Sequence, residues 1–141
     1  MYDILIIGSG PAGLSAAIYG KRALLELAVI EKDYMGTGQI AVTEQVDNYP
    51  GLPGISGYDL GEKFRSHAEQ LGTEFIEGEV TGIERSGENW VIKFADGKTE
   101  SARAVIYAAG ASHRKPGVPG DDKQRTCRVI RCDIRKTRPV G

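Results

Sequence analysis

Gly8-Ser9-Gly10-Pro11-Ala12-Gly13 follows directly on Asp3-Ile4-Leu5-Ile6-Ile7, and no other stretch limits the fold as tightly. The residues before the turn read as a buried strand; Leu14 to Ala23, rich in Ala, Leu and Ile, reads as a helix. Strand, Gly-x-Gly-x-x-Gly and helix, in that order, are the context of a dinucleotide-binding turn. Each glycine has its own task. Gly8 permits the tight turn, Gly10 lets a pyrophosphate approach bare backbone, and Gly13 lets the helix close on the strand. N–H groups at the helix start then meet the phosphates, helped by a helix dipole of roughly half a positive charge. Pro11 suits the first helical turn, where its missing N–H is not needed.

Glycine supplies 19 of the 141 residues, so the pattern alone is also compatible with a turn that binds nothing. A second apolar run, Leu27-Ala28-Val29-Ile30, favours binding because it ends in Glu31, 18 positions after Gly13. An acid there accepts hydrogen bonds from an adenosine ribose and repels a 2′-phosphate.

Hydrophobic residues at 40% and charged residues at 26% suit a soluble globular chain about one domain long. No apolar run approaches the ~20 residues of a membrane span, and no basic-then-apolar leader precedes the first strand. Two cysteines do not make a disulfide scaffold. A cytoplasmic protein with no membrane partner is the expectation. Charge divides the chain: from Lys123 onward seven basic residues face the single acid Asp133, leaving eleven basic and eighteen acidic residues before it. Residues 1–122 therefore read as one domain and 123–141 as a basic tail. Clustered arginine attracts phosphate, but the tail has no stacking aromatics, so a nucleic-acid partner is not expected.

Lys32 to Pro50 carries Gly36-Thr37-Gly38-Gln39 and Asp47-Asn48-Tyr49-Pro50, the punctuation of a loop that either wraps a ligand or lies on the surface. Gly57 to Leu71 reads as a helix with Leu60, Phe64, His67 or Ala68, and Leu71 on its apolar stripe, and Glu62, Lys63, Arg65, Glu69 and Gln70 on its wet side. His67 reads as packed or partly exposed rather than catalytic. Strands are expected at 74–77, 80–85 and 90–94, then at 98–102 behind the Asp96-Gly97 turn, and as a separate buried strand over 103–111. The fold class is α/β: a Rossmann-like, doubly wound parallel sheet whose last crossover is a β-meander.

With these residues in view, the chain resembles the N-terminal FAD portion of the bacterial thioredoxin reductases, a family of pyridine nucleotide-disulfide oxidoreductases. The likeness rests on Gly-Ser-Gly-Pro-Ala-Gly at 8–13, Val-Ile-Glu-Lys at 29–32, Gly-Gln-Ile at 38–40 and Asp-Asn-Tyr-Pro-Gly at 47–51. Ala-Gly-Ala-Ser at 109–112 and Gly-Val-Pro-Gly at 117–120 complete it. The resemblance implies a flavoprotein that passes reducing equivalents from NADPH through FAD to a thioredoxin-like redox protein. It places Gly8, Gly10, Pro11, Ala12 and Gly13 on the pyrophosphate, Glu31 on the ribose with Lys32 beside it, and Gly38, Gln39 and Asn48 along the flavin. Val80 would offer backbone to the adenine, and Ala109, Gly110 and Ala111 would close over the cofactor. Thr37 stands where the family commonly has a second glycine, and Ala109 where it has threonine.

The resemblance also implies an NADPH domain with a Cys-x-x-Cys pair. The 141 residues hold no second Gly-x-Gly-x-x-Gly, and Cys127 and Cys132 are separated by four residues rather than two. A segment not catalytically complete is the expectation, with an exposed sheet flank that favours association, as in a homodimer. A stand-alone FAD or NAD module without catalysis is the alternative. Read one base later, suitable codons for 125–134 give Gly-Arg-Val-Val-Ser-Tyr-Gly-Ala-Thr-Ser, close to how the family continues, so a frameshift is one reading of the tail.

Overall fold

The turn at residues 8–13 forms as its sequence demands. In the computed structural model, which describes residues 1–33 and 36–111, β1 (Tyr2–Ile7) enters it and α1 (Pro11–Arg22) leaves it. Gly10 is the N-cap in extended conformation, with Pro11 in the first helical turn. The helix thus starts three residues before Leu14, because proline's fixed φ is already helical there. Gly8 takes a φ of 102°, a conformation that a side chain would strain. β2 (Leu27–Glu31) then lies parallel to β1 with Ile7 opposite Ile30.

A short 3-10 helix (Gln39–Val42) interrupts the long connection after β2, and an isolated bridge joins Val46 to Ile55 within it. α2 (Gly57–Gln70) starts at Ser56, whose hydroxyl accepts from the Asp59 N–H at 3.0 Å. β3 (Glu74–Glu77) returns parallel to β2. β4 (Val80–Ser86) and β5 (Asn89–Phe94) form an antiparallel pair, and β6 (Thr99–Tyr107) completes one six-stranded sheet in the order β3-β2-β1-β6-β5-β4. This is the expected α/β sheet with a meander crossover, parallel from β3 through β6 and antiparallel, hence mixed, from β6 through β4.

Three expectations need correction. The separate strands expected at 98–102 and 103–111 are one strand. β6 runs antiparallel to β5 through Thr99–Ala102 and parallel to β1 through Ala102–Tyr107, so Ala102 faces both Trp90 and Tyr2. No turn residue lies between the halves, and nothing in the chain breaks them apart. Nor is its second half buried. Arg103, Ala104, Ile106 and Tyr107 are exposed, because beyond Ala102 β6 pairs with β1 alone among the described residues. Arg65, expected on the wet side of α2, is buried: its guanidinium lies 4.1 Å from the centre of the Phe75 ring while Nε donates to Glu69 at 2.9 Å.

The core has two layers. On one face of the sheet, Ile92 and Phe94 of the meander pack against Leu5, Ile7, Ala28 and Ile30. On the other, Ala17 of α1 packs against Ile6, Leu27 and Val29. Burial of side chains this size is worth roughly 1.5–3 kcal/mol each, and it fixes β1 and β2 rigidly beneath the turn. Residues 112–141, which include the basic tail, Cys127 and Cys132, lie outside the described residues, as do Tyr34 and Met35.

Candidate nucleotide-binding site

Three strand ends converge where the turn begins. The Gly8 N–H donates to the Ile30 carbonyl at 2.8 Å, and the Ala108 N–H donates to the Ile7 carbonyl at 2.8 Å. β2 and β6 thus flank the carboxyl end of β1, and the chain leaves β1 between them. Open α/β sheets bind ligands at such a point, because connections on either side diverge and leave a crevice. Here a cavity of about 330 Å³ opens, with Gly8, Ile30, Glu31, Val80, Tyr107 and Ala109 in its wall. A broader hollow of about 740 Å³ runs along α2 beside Asp59, Glu62 and His67. That larger space is a groove between surface side chains, and no residue of the turn at 8–13 lines it. The smaller cavity is the one with chemistry.

Close packing at Gly13 keeps the turn shut. A β-carbon on Gly13 would collide with the Gly8 carbonyl, so α1 can approach the strand only with hydrogen there. Gly38 also passes close to Gly10: a β-carbon on Gly38 would lie 2.9 Å from the Gly10 Cα. Gly38 also has a φ of 76°, which favours glycine. Gln39 donates from Nε2 to the Ala111 carbonyl, joining the 3-10 helix to the exit of β6. Gly10, Gly38, Gln39 and Ala111 therefore form a second cluster, beside the cavity that Gly8 and Glu31 line. Ala12 is exposed in the first turn of α1, and Gly110 takes a φ of 74° just after Ala109.

Glu31 is the charged centre of the cavity. Its Oε2 accepts from the Ser9 N–H and the Ser9 hydroxyl, each at 2.8 Å, and its Oε1 from the Lys32 N–H at 2.8 Å and more weakly from Asp33 at 3.4 Å. Partial burial pushes the carboxyl up, but the donors from Ser9, Lys32 and Asp33 outweigh it and hold Glu31 below the usual glutamate value. It is an ionised acceptor at neutral pH, which is what a sugar hydroxyl needs. Lys32 points to the rim instead, where Nζ donates to Glu79 Oε1 at 2.9 Å with both side chains more than half exposed. So exposed a pair is screened by water and adds little to stability.

Of the residues singled out in the sequence, Gly8, Glu31, Lys32, Val80 and Ala109 come together in the cavity wall. Asn48 lies exposed on the loop and lines no part of it. Ser9, Glu79 and Tyr107 escape a reading of the sequence. Ser9 occupies a variable position of the glycine motif, and Glu79 and Tyr107 reach the cavity only through sheet pairing, which no local pattern encodes. Among the described residues no group of His, Cys, Asp and Glu is arranged to hold a metal ion, and no helix is long and apolar enough to cross a membrane.

The family model for pyridine nucleotide-disulphide oxidoreductases matches residues 2–137. The chain is 46% identical over 121 residues to a thioredoxin reductase of Bacillus subtilis, covering 86% of this chain and 38% of that protein. It is 43% identical over 134 residues to a thioredoxin reductase of Listeria monocytogenes, covering 95% of this chain and 41% of the relative. Its fold superposes on the crystal structure of Lactococcus lactis thioredoxin reductase with a TM-score of 0.81 at 39% identity, over 87% of this chain and 40% of that one. The chain thus spans about two fifths of the length of the relatives it matches. With its glycine turn, its strand-terminal acid and its meander crossover in place, the chain belongs to the pyridine nucleotide-disulphide oxidoreductase family, as the FAD-binding segment of a thioredoxin-reductase-like flavoprotein.

Proposed function

We propose that this chain binds FAD, with the adenosine in the 330 Å³ cavity, the pyrophosphate on the turn at residues 8–13, and the flavin toward Gly38, Gln39 and Asn48. The observation that carries this reading is the pairing of the bare Gly8 backbone with an ionised Glu31 in one cavity at the strand ends. The residues fit the cofactor chemically. The first turn of α1 offers N–H groups and a positive dipole end to phosphates, and its N-cap Gly10 brings no competing side chain. Glu31 accepts from the ribose, and the backbone near Val80 faces the adenine edge. Bound FAD would supply two-electron transfer between a nicotinamide and a dithiol. The chain's own residues hold and orient the cofactor and shield its nucleotide half from water.

In the family setting, this segment would serve a cytoplasmic enzyme that takes electrons from NADPH and reduces a thioredoxin-like disulfide. Residues 1–122 would form its FAD domain. Gly8-to-Gly13 is the single Gly-x-Gly-x-x-Gly turn in these 141 residues, and they contain no Cys-x-x-Cys. The purified chain alone is therefore expected not to turn over NADPH with thioredoxin. Sequencing the coding DNA around codon 124 tests the frameshift reading of the tail; an in-frame gene with no plausible indel there would end it.

Titration of the purified chain with FAD, followed by flavin fluorescence, tests the central reading. Saturable quenching that ADP reverses supports it. No quenching, or displacement by NADH in preference to ADP, would replace it with a non-binding or NAD-binding module.

A further inference from the structure

Ser9 is completely buried, and both of its hydrogen-bond donors reach one atom. Its N–H and its hydroxyl each reach Glu31 Oε2 at 2.8 Å. The same hydroxyl also contacts the Gly36 carbonyl, and because a serine carries one hydroxyl proton the two acceptors share it. Gly36 closes on the acid from that side as well: a β-carbon there would lie 3.1 Å from the Glu31 Cδ and Cγ. A carboxylate has about four acceptor positions, two on each oxygen. On Oε2 the Ser9 N–H takes one, and the Ser9 hydroxyl, shared with the Gly36 carbonyl, occupies the other. On Oε1 the Lys32 N–H takes one at 2.8 Å, and the long contact from Asp33 at 3.4 Å leaves room for a stronger donor.

We infer that Ser9 is the positioning residue of the ribose site: by holding Oε2 with its N–H and hydroxyl it locks the Glu31 carboxylate and reserves Oε1 for a sugar hydroxyl, so that Ser9 sets the preference for ribose over deoxyribose. This inference rests on the nucleotide reading of the cavity. It assigns a role to a residue at a variable position of the glycine motif, through its contacts with Glu31. Without the Ser9 hydroxyl, Oε2 has a vacant acceptor position and the carboxylate can rotate, so the geometry offered to the sugar is no longer unique.

The test measures binding of ADP and 2′-deoxy-ADP to the full chain by isothermal titration calorimetry. One hydrogen bond to a charged acceptor corresponds to about a ten- to hundredfold preference for ADP in the wild type. In Ser9→Ala the preference is expected to fall to within about threefold, with the loss confined to ADP and 2′-deoxy-ADP bound as before. Ser9→Gly, which removes the hydroxyl without leaving a methyl, is expected to behave the same way. A purely structural role would weaken both nucleotides equally, and that result overturns the inference, as does an unchanged preference. Loss of the native far-UV spectrum in both variants overturns it too, because the hydroxyl would then be a folding requirement. If the wild type binds neither nucleotide, the FAD reading itself fails and this inference falls with it.

Discussion

Thr37 and Gly61 fit each other as a pair: a β-carbon on Gly61 would lie 2.5 Å from the Thr37 Oγ1 and 2.7 Å from its Cβ. Thr37 is buried, and its side chain is accommodated by the missing side chain on α2. Gly61→Ala is therefore expected to destabilise the chain by about 1–2 kcal/mol despite alanine's better helix propensity. In a Thr37→Gly background the same change is expected to stabilise by up to about 1 kcal/mol. Denaturant unfolding of the four proteins measures the coupling. Equal effects of Gly61→Ala in both backgrounds would mean that the contact is not responsible.

Gly13→Ala places a methyl group into the Gly8 carbonyl, a clash of backbone against backbone that no rotamer change relieves. A loss on the order of 3 kcal/mol is expected, together with loss of FAD quenching. Gly82→Ala is the control, since a β-carbon there meets only Lys93 side-chain atoms at 3.8 Å. Thermal melts should separate the two clearly. Similar melting temperatures would show that the turn has more slack than its geometry indicates.

Acid should weaken the fold partly through Glu31. Its carboxyl is held below the usual glutamate value in the folded chain, so the folded state binds that proton less readily than the unfolded state. The stability this supplies is complete above the ordinary glutamate range and is lost as pH falls through the depressed value. Glu31→Gln should therefore be less stable than wild type at neutral pH, with the gap closing as pH falls below the usual glutamate range. Urea unfolding across that range checks it. A gap that stays constant would rule out the linkage.

At the alkaline end the informative group is Tyr2. Burial, then the 2.9 Å hydrogen bond to Glu74 and the negative charges of Glu74 and Glu100, push its phenol up to about 12. Its contribution to stability is present below the ordinary tyrosine value and lost as pH rises through the raised one. Ultraviolet titration should show one of the six tyrosines ionising late, and Tyr2→Phe should remove that step at a cost of about 0.5 kcal/mol at neutral pH. A late step that persists in Tyr2→Phe would assign it to another residue.

Much of the fold is legible along the chain. The apolar runs around residues 3–7 and 27–30 and the helical stripe of 57–71 specify their elements, because burial imposes local periods of two or 3.6 on the sequence. The role of Arg65 is not legible there: its place over Phe75 depends on how α2 lies against β3, and an arginine at that spacing otherwise reads as solvated. β6 reads as two strands for a related reason. Its halves differ in pattern because they pair with different partners, β5 first and β1 afterwards.

The turn at residues 8–13 and the acid at 31 were determined by the sequence itself, because glycine spacing, proline and a strand-terminal carboxylate constrain the backbone locally. The tertiary structure alone decided what surrounds them. Ser9 meets Glu31 from 22 positions away, and Val80 and Tyr107 meet in one wall only when the meander has folded onto the sheet. Contacts between distant residues follow from packing and strand pairing, and no pattern along the chain records them.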